Sequence, residues 1–469
     1  RALHERVLFA RDSLCLAYLA SHQSSAYYRI SMNITEHLCR ELSQATLEVV
    51  SQGRFANSVV QKKFKANAHW DSEEKSFFAE SLYFIVRNAR RLCVALSISA
   101  CDTASDALKL VHATLVLHSL YVPRGILSAH RLEAALVHKR WADAGTTRAV
   151  AYSYPDWLDE LGARQFGASW DSMVHALHAE PKVVLRANSL KVTREELERK
   201  LRAREISCSS SALSPTATVL ENHYNVFTLP EFRDGLFEVQ DAGSQCIAPF
   251  LMAEPGMRVI DACAGSGGKS LHLAALMNNK GRLIAMDTEE WKLTALAQRA
   301  RRAGVSIIET RTITSTKVVK RQHGSADRVL LDVPCSGLGV LRRNPDTKWH
   351  ITAADIDRFV TIQRDILRQY APMTAPGGAL VYATCSILPA ESEDQVRWFL
   401  AQSPEWTLED ERRVEPGKHD ADGFYMARLR RAKADKAVKV DKANKAVEAD
   451  KVDNANAAAD KQLKVEIEE

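Results

Sequence analysis

The sequence predicts an α/β protein in which a doubly wound parallel sheet follows an all-helical domain and a small αβ module, and three observations carry that reading. Apolar strands, glycine turns and amphipathic helices alternate from Phe237 onward, the pattern of stacked βαβ units. Between Met32 and Trp141 apolar residues recur at the helical period instead. The chain has 469 residues, 46% hydrophobic and 26% charged, which are globular values for several domains and exclude collagen-like, coiled-coil or wholly disordered chains. Arg11 and Asp12 interrupt the apolar run at 8–16, and no run of about 18 apolar residues follows, so neither a signal segment nor a membrane span is expected. The nine cysteines are scattered without a C-x-x-C pair. Reduced thiols of a cytoplasmic protein are therefore expected, with no disulfide framework and no metal site. The net charge of +5 permits nucleic-acid contact without demanding it.

Taken in order, residues 1–31 precede the first methionine and are set apart as a doubtful extension. Ile34, Leu38, Leu42 and Leu47 begin a helical stripe, which continues through Phe77, Phe78, Leu82 and Ile85 and through Leu108, Val111 and Leu115. Residues 32–145 therefore read as a helical domain. Pro155 and Trp157 break the pattern, residues 182–188 alternate like a strand, and 194–203 read as a charged helix, which makes 150–235 the small αβ module. Over 236–431 the expected parallel strands are 257–261, 282–287, 306–313, 328–333 and 379–384. Residues 432–469 hold eight lysines against nine acids and few residues able to pack a core, so a low-complexity tail, disordered or transiently helical, is expected.

Three strand ends carry chemistry. After Asp261 the chain reads Ala262, Cys263, Ala264, Gly265, Ser266, Gly267, Gly268, Lys269, Ser270, a glycine turn leading into a helix, where backbone can approach a ligand closely. Asp287, at the next strand end, suits a ribose hydroxyl pair. A phosphate-binding P-loop needs glycine where Cys263 stands, and a dinucleotide loop needs its third glycine where Ser270 stands. The acid Asp261, the turn and Asp287 suit S-adenosylmethionine, with its cationic sulfonium. The second strand end is Asp332-Val-Pro-Cys335-Ser-Gly337 and the third is Thr384-Cys385-Ser386. In a doubly wound sheet both face the crevice of the nucleoside loop, which brings two thiols together.

These motifs, with Phe237-Glu-Val-Gln-Asp241-Ala-Gly-Ser-Gln245 upstream and Asp422-Gly-Phe-Tyr-Met-Ala-Arg428 at the end, resemble the Sun/Nop family of S-adenosylmethionine-dependent RNA cytosine-5 methyltransferases. The resemblance covers roughly residues 150–431. It implies a Rossmann-like class I methyltransferase domain, and the helical segment looks like the NusB-like domain of the members that act on ribosomal RNA. Arg186-Ala-Asn188 looks like the opening of their RNA-binding module. By the same resemblance Cys385 is the nucleophile, Cys335 assists product release, and Lys269 and Asp332 lie near the target base. Cofactor contacts come from Cys263, Ala264, Gly265, Ser266, Gly267, Gly268, Lys269, Asp287 and Asp332. RNA is the partner, ribosomal RNA before transfer RNA, and the enzyme acts as a monomer. A non-catalytic RNA-binding or ribosome-assembly factor is the competing reading, and retention of both cysteines argues against it. Gly265 and Ser266 stand where the family loop commonly has Ala and Pro, and Glu391-Ser-Glu393-Asp394 departs from the usual E-E-N-E helix start. No residue is assigned to the adenine contact. Backbone phosphates are expected at Arg342 and Arg343 or at Lys317, Lys320 and Arg321.

Overall fold

The computed structural model describes residues 34–129 and 132–433; the extension at 1–31 and all but the first two residues of the tail at 432–469 lie outside the described residues. Among the described residues six helices come first: Glu36–Val50, Ala56–Ala66, Ser72–Ala95, Ala104–Leu117, Arg124–Ala129 and Ala134–Asp143. Their starts are chemically marked. Thr35 and Thr103 accept the amides of Leu38 and Asp106, and Asp71 forms a capping box with Glu74, each satisfying an otherwise orphaned donor. Leu38, Leu42, Phe78, Leu82, Ile85 and Leu110 face inward and form one core, as the helical stripe predicts.

Helices continue past Pro155, at Asp156–Phe166 and Trp170–His178. They pack Leu158, Trp170 and Val174 against Leu338, Leu341, Phe359 and Ile387 of the following α/β region. The two cross so closely that a Cβ on Gly162 would lie 2.2 Å from Cε2 of Trp170, so glycine is required there.

Two sheets follow. Strands β1 (Val184–Ala187), β2 (Cys208–Ser210), β3 (Ala217–Leu220) and β4 (Phe237–Val239) form an antiparallel sheet in the order β2-β3-β1-β4, with the capped helix Arg194–Arg202 contributing Leu197 and Leu201 to its core. The larger sheet contains β5 (Arg258–Asp261), β6 (Arg282–Asp287), β7 (Ile308–Thr312), β8 (Ala326–Asp332), β9 (Thr374–Thr384), β10 (Trp406–Val414) and β11 (Phe424–Arg431). Its order is β10-β11-β9-β8-β5-β6-β7. Strands β5 to β9 pair in parallel as expected, and the order reverses at β5, between β6 on one side and β8 on the other. Strands β11 and β10 are antiparallel, so the sheet is mixed. The pattern of apolar residues leaves β10 unseen because this edge strand carries charges along most of its length, Glu409 to Arg413, and only its ends, Trp406 and Val414, are buried.

The helical domain is docked firmly on the larger unit. Asp346 accepts the Ala56 amide at 2.9 Å, Arg87 donates to the Arg342 carbonyl at 2.9 Å, Lys348 donates to the carbonyls of Arg87 and Tyr152, and Trp349 donates to that of Val86. These partners all belong to the segment that follows the Pro-Cys-Ser-Gly turn. Among the described residues no helix is long and apolar enough to cross a membrane, no disulfide joins the cysteines, and no group of three or more metal-binding side chains gathers.

Candidate active site

The carboxyl ends of β5, β6, β8 and β9 converge where the strand order reverses, the place where open α/β sheets bind ligands. A cleft of about 990 Å³, counted out to bulk solvent, lies there, between the glycine turn, the four-stranded module and the turn before β11. Ala264, Gly265, Ser266, Gly268, Lys269, Asp332 and Cys385 line it.

The glycine turn has the backbone that its residues allow. Gly265 and Gly267 are left-handed, at φ 53° and 89°, and Gly267 immediately precedes the helix Gly268–Leu276. A Cβ on Gly267 would come within 2.4 Å of Leu296, whereas one on Gly268 would meet nothing nearer than Gln240 at 3.9 Å. The chain is thus tight on its inner side and open toward the cleft. Asp287 lies beneath the turn, accepting the Gly265 amide through Oδ2 at 2.9 Å and the Glu289 amide through Oδ1 at 3.0 Å. Asp261 is buried and accepts the Ser270 hydroxyl at 2.7 Å.

The turn is also gripped from outside. Arg299 donates to the carbonyl and hydroxyl of Ser266 at 2.9 and 3.0 Å and is held in turn by Glu238 of β4, which also binds Arg302. Burial opposes the charge of Glu238, but Arg299 and Arg302 prevail and keep its pKa below the usual carboxylate range. Arg186 of β1 donates to the Gly268 carbonyl at 2.6 Å. No short motif marks Arg299, which sits among other arginines on an amphipathic helix, and the sequence reading missed it.

At the other side, Lys269 and Asp332 form an ion pair at 2.6 Å, both largely buried, with the lysine also facing the Phe424 ring. Cys385 borders the cleft; Cys335 is buried against it, the two sulfurs 3.3 Å apart. The strands hold them so because Asp332 of β8 stands beside Ala383 of β9 in parallel register, and the two loops leave the sheet together. The structure therefore brings Cys335, Cys385, Asp332 and Lys269 together beside the glycine turn, with Asp287 below it and Cys263 half-buried at its start.

The expectation for Arg342 and Arg343 is corrected. Arg342 is buried and Arg343 half-buried at the edge of the cleft, and both bind Asp241 and Asp422, at 3.2 and 2.8 Å to Asp241. Burial opposes the charge of Asp241, but Arg343 and Arg342 prevail and hold its pKa down, whereas burial wins at Asp422 and raises it. A charge run in sequence does not tell a solvated face from an internal ion-pair cluster. Lys317, Lys320 and Arg321 are exposed.

Comparison with known proteins agrees with this geometry. Residues 154–227 match the ferredoxin-like domain of RsmF/B-like methyltransferases. The crystal structure of PH0851 superposes over 85% of this chain and 99% of its own with a TM-score of 0.71 at 24% identity, and a methyltransferase homolog protein from Pyrococcus horikoshii over 60% and 97% with a TM-score of 0.55 at 25% identity. The probable ribosomal RNA small subunit methyltransferase B of Synechocystis sp. is 36% identical over 300 residues, 60% of this chain and 67% of that protein. The ribosomal RNA small subunit methyltransferase B of Shewanella oneidensis is 35% identical over 296 residues, 61% and 69% of the two chains. With residues 248–430 matching the family described as 16S rRNA methyltransferase RsmB/F, and relatives at this identity covered over two thirds of their length, the chain belongs to the RsmB/F methyltransferase family.

Proposed function

We propose that the protein transfers a methyl group from S-adenosylmethionine to carbon 5 of a cytosine in RNA, with ribosomal RNA of the small subunit as the substrate and the cytoplasm as its place of work. The observation that carries the reading is the pair of thiols 3.3 Å apart after the ends of adjacent strands, beside an ion-paired carboxylate, with Cys385 lining the cleft that the glycine turn borders. A nucleotide-binding ATPase or a pure RNA-binding factor has no use for such a pair. Three units divide the work: a NusB-like helical domain at 32–145, an RNA-binding module at 150–235 and the methyltransferase domain at 236–431.

The residues present fit the cofactor. Open space over Gly268 lets a ligand reach backbone, and the acids Asp287 and Asp261 suit ribose hydroxyls and a cationic group. When bound, S-adenosylmethionine supplies an electrophilic methyl group. The turn from Cys263 to Lys269, with Asp287 and Asp332, would hold it.

Carbon 5 of cytosine is a weak nucleophile. The Cys385 thiolate adds to C6, the C5–C6 double bond opens, and C5 becomes enamine-like and nucleophilic. Asp332 meets the N3 and amino edge of the base, and Lys269 fixes that carboxyl group from 2.6 Å. Once C5 carries the methyl group, its proton leaves to a base. The C6–S bond electrons then return to Cys385 as the ring double bond re-forms, a release that Cys335 assists. The target cytosine must leave its stack to enter the cleft, which costs a few kcal/mol and least in single-stranded or bulged RNA.

The test separates the thiols. Cys385→Ser should abolish methylation and form no bond to RNA. Cys335→Ala should allow attack but stall release, giving a shifted band on a denaturing gel that needs both RNA and S-adenosylmethionine, while the double substitution gives none. A shifted band from Cys385→Ala alone would reverse the roles, and unchanged methylation in both single variants would refute the mechanism.

A further inference from the structure

Each reactive cysteine is followed by a serine, and both serines end on one carboxyl group. Glu391, in the turn after Thr384-Cys385-Ser386, has no exposed surface. Its Oε1 accepts the Ser336 amide at 2.8 Å and the Gln363 side-chain amide at 3.0 Å; its Oε2 accepts the hydroxyls of Ser336 and Ser386, each at 2.5 Å. The two hydroxyls also lie 3.2 Å from each other. Tyr382 of β9 donates to the Glu391 carbonyl at 2.7 Å, which ties the clamp back to the strand. Gln363, on the helix Ala353–Tyr370, donates as well to the Pro334 carbonyl at 3.0 Å, one residue before Cys335.

We propose that Glu391 is the positioning residue of the thiol pair, a buried carboxyl group that joins the Cys335 loop to the Cys385 loop and keeps Cys335 where it serves release. The inference rests on the two-thiol reading above and deepens it. Glu391 touches neither sulfur. It acts through Ser336 and Ser386, each one residue from a thiol, so that a single group sets the separation of two chain segments that the sheet alone would leave to independent loops. Burying a carboxyl group is costly unless its oxygens are fully bonded, and four donors converge on this one. A carboxyl group meant only to fill space would be replaced more cheaply by an apolar side chain.

The role predicts a particular failure. With the clamp gone, Cys385 still faces the cleft and still attacks C6, but Cys335 no longer stays beside it, so release slows more than attack. Glu391→Ala, with both cysteines intact, should accumulate the covalent RNA complex on a denaturing gel as Cys335→Ala does, with turnover reduced at least tenfold and the KM for S-adenosylmethionine within twofold of wild type. Glu391→Gln keeps an acceptor for the Ser336 amide and offers its own amide to the hydroxyls, so it should restore most of the turnover. The Ser336→Ala/Ser386→Ala protein removes both hydroxyl links to Oε2, leaving the Ser336 amide bond and Glu391 itself in place, and should trap the complex too, which keeps the proposal testable should Glu391→Ala fail to fold by circular dichroism.

Trapping by Cys335→Ala but by neither the Glu391 nor the paired serine variants would overturn the inference and leave the thiol reading intact. A uniform loss of attack and release in a folded Glu391→Ala protein would overturn it as well, since that is what a merely structural residue produces. Trapping by none of these variants would overturn the thiol reading and the inference together.

Discussion

The glycine turn at the end of β5 hangs from charged side chains on other elements, Arg186 of β1 on Gly268 and, on Ser266, Arg299 of the helix Glu290–Ala303 held by Glu238 of β4, whereas the thiol loops at the ends of β8 and β9 are held by the hydroxyls and amides around Glu391. Behind the thiol loops stand apolar helices and the docked helical domain; behind the glycine turn stands the four-stranded module. The difference teaches how the two sides tolerate change. A turn shaped from outside can vary its own residues, as Gly265 and Ser266 do here, because Arg299 supplies by hydrogen bonding the stiffness that a proline would supply by its ring. Loops shaped by one shared internal group have no such freedom.

The largest effect expected on the cofactor side comes from Asp287→Ala. It removes the acceptor of the Gly265 amide and the proposed ribose contact, and one charged hydrogen-bond partner is worth about 1.5–3 kcal/mol. The KM for S-adenosylmethionine should rise roughly ten- to a hundredfold by the same measure while that for RNA holds. Steady-state kinetics with each substrate varied in turn will check it, and an unchanged cofactor KM would remove Asp287 from the site.

The backing of the thiol side should respond to pH instead. Burial, helped by Lys348 and Arg87, pulls the pKa of His178 down to about 2, so the folded protein keeps this imidazole neutral. The unfolded chain takes up a proton near pH 6.5. Stability from this residue is therefore complete above about pH 6.5 and is lost progressively as pH falls toward 2, by at most about 1.4 kcal/mol per pH unit. Between pH 7 and pH 5 denaturant unfolding should show a loss of about 1–2 kcal/mol. His178→Phe should flatten that slope, and an equal slope in the variant would rule the residue out as its source.

The smallest effect sharpens the contrast most. Arg299→Met should raise the KM for S-adenosylmethionine about five- to tenfold, for a loss of about 1–1.4 kcal/mol, without trapping a covalent RNA complex. Adding Ser266→Pro to that variant should recover part of the loss if stiffness is what Arg299 contributes. A covalent complex trapped by Arg299→Met would show that the two sides of the cleft are not held independently.

Much of this was legible in the primary structure because it is local. Strand, acid and glycine turn follow one another within a dozen residues at Asp261, and the cysteines at 335 and 385 each sit directly after a strand end, so period and turn chemistry reveal them without any knowledge of distant partners. The order of the parallel strands and the crevice at their ends follow from the same alternation. The charged edge strand β10 escaped because its register is set by pairing with β11 and not by a buried face. The fate of single charges escaped for a related reason. Arg342 and Arg343 read like solvated cations but lie inside, opposite Asp241 and Asp422, roughly 80 to 100 residues away along the chain; Arg299 reads like any helical arginine and grips the glycine turn; Glu391 reads like an imperfect motif and joins two loops. Local sequence determined which groups this protein possesses and which strand ends present them. Only the tertiary structure decided which carboxyl group faces which cation and how far apart two sulfurs stand, because burial and long-range pairing, which govern charge and distance, are properties of the packed chain and not of any window along it.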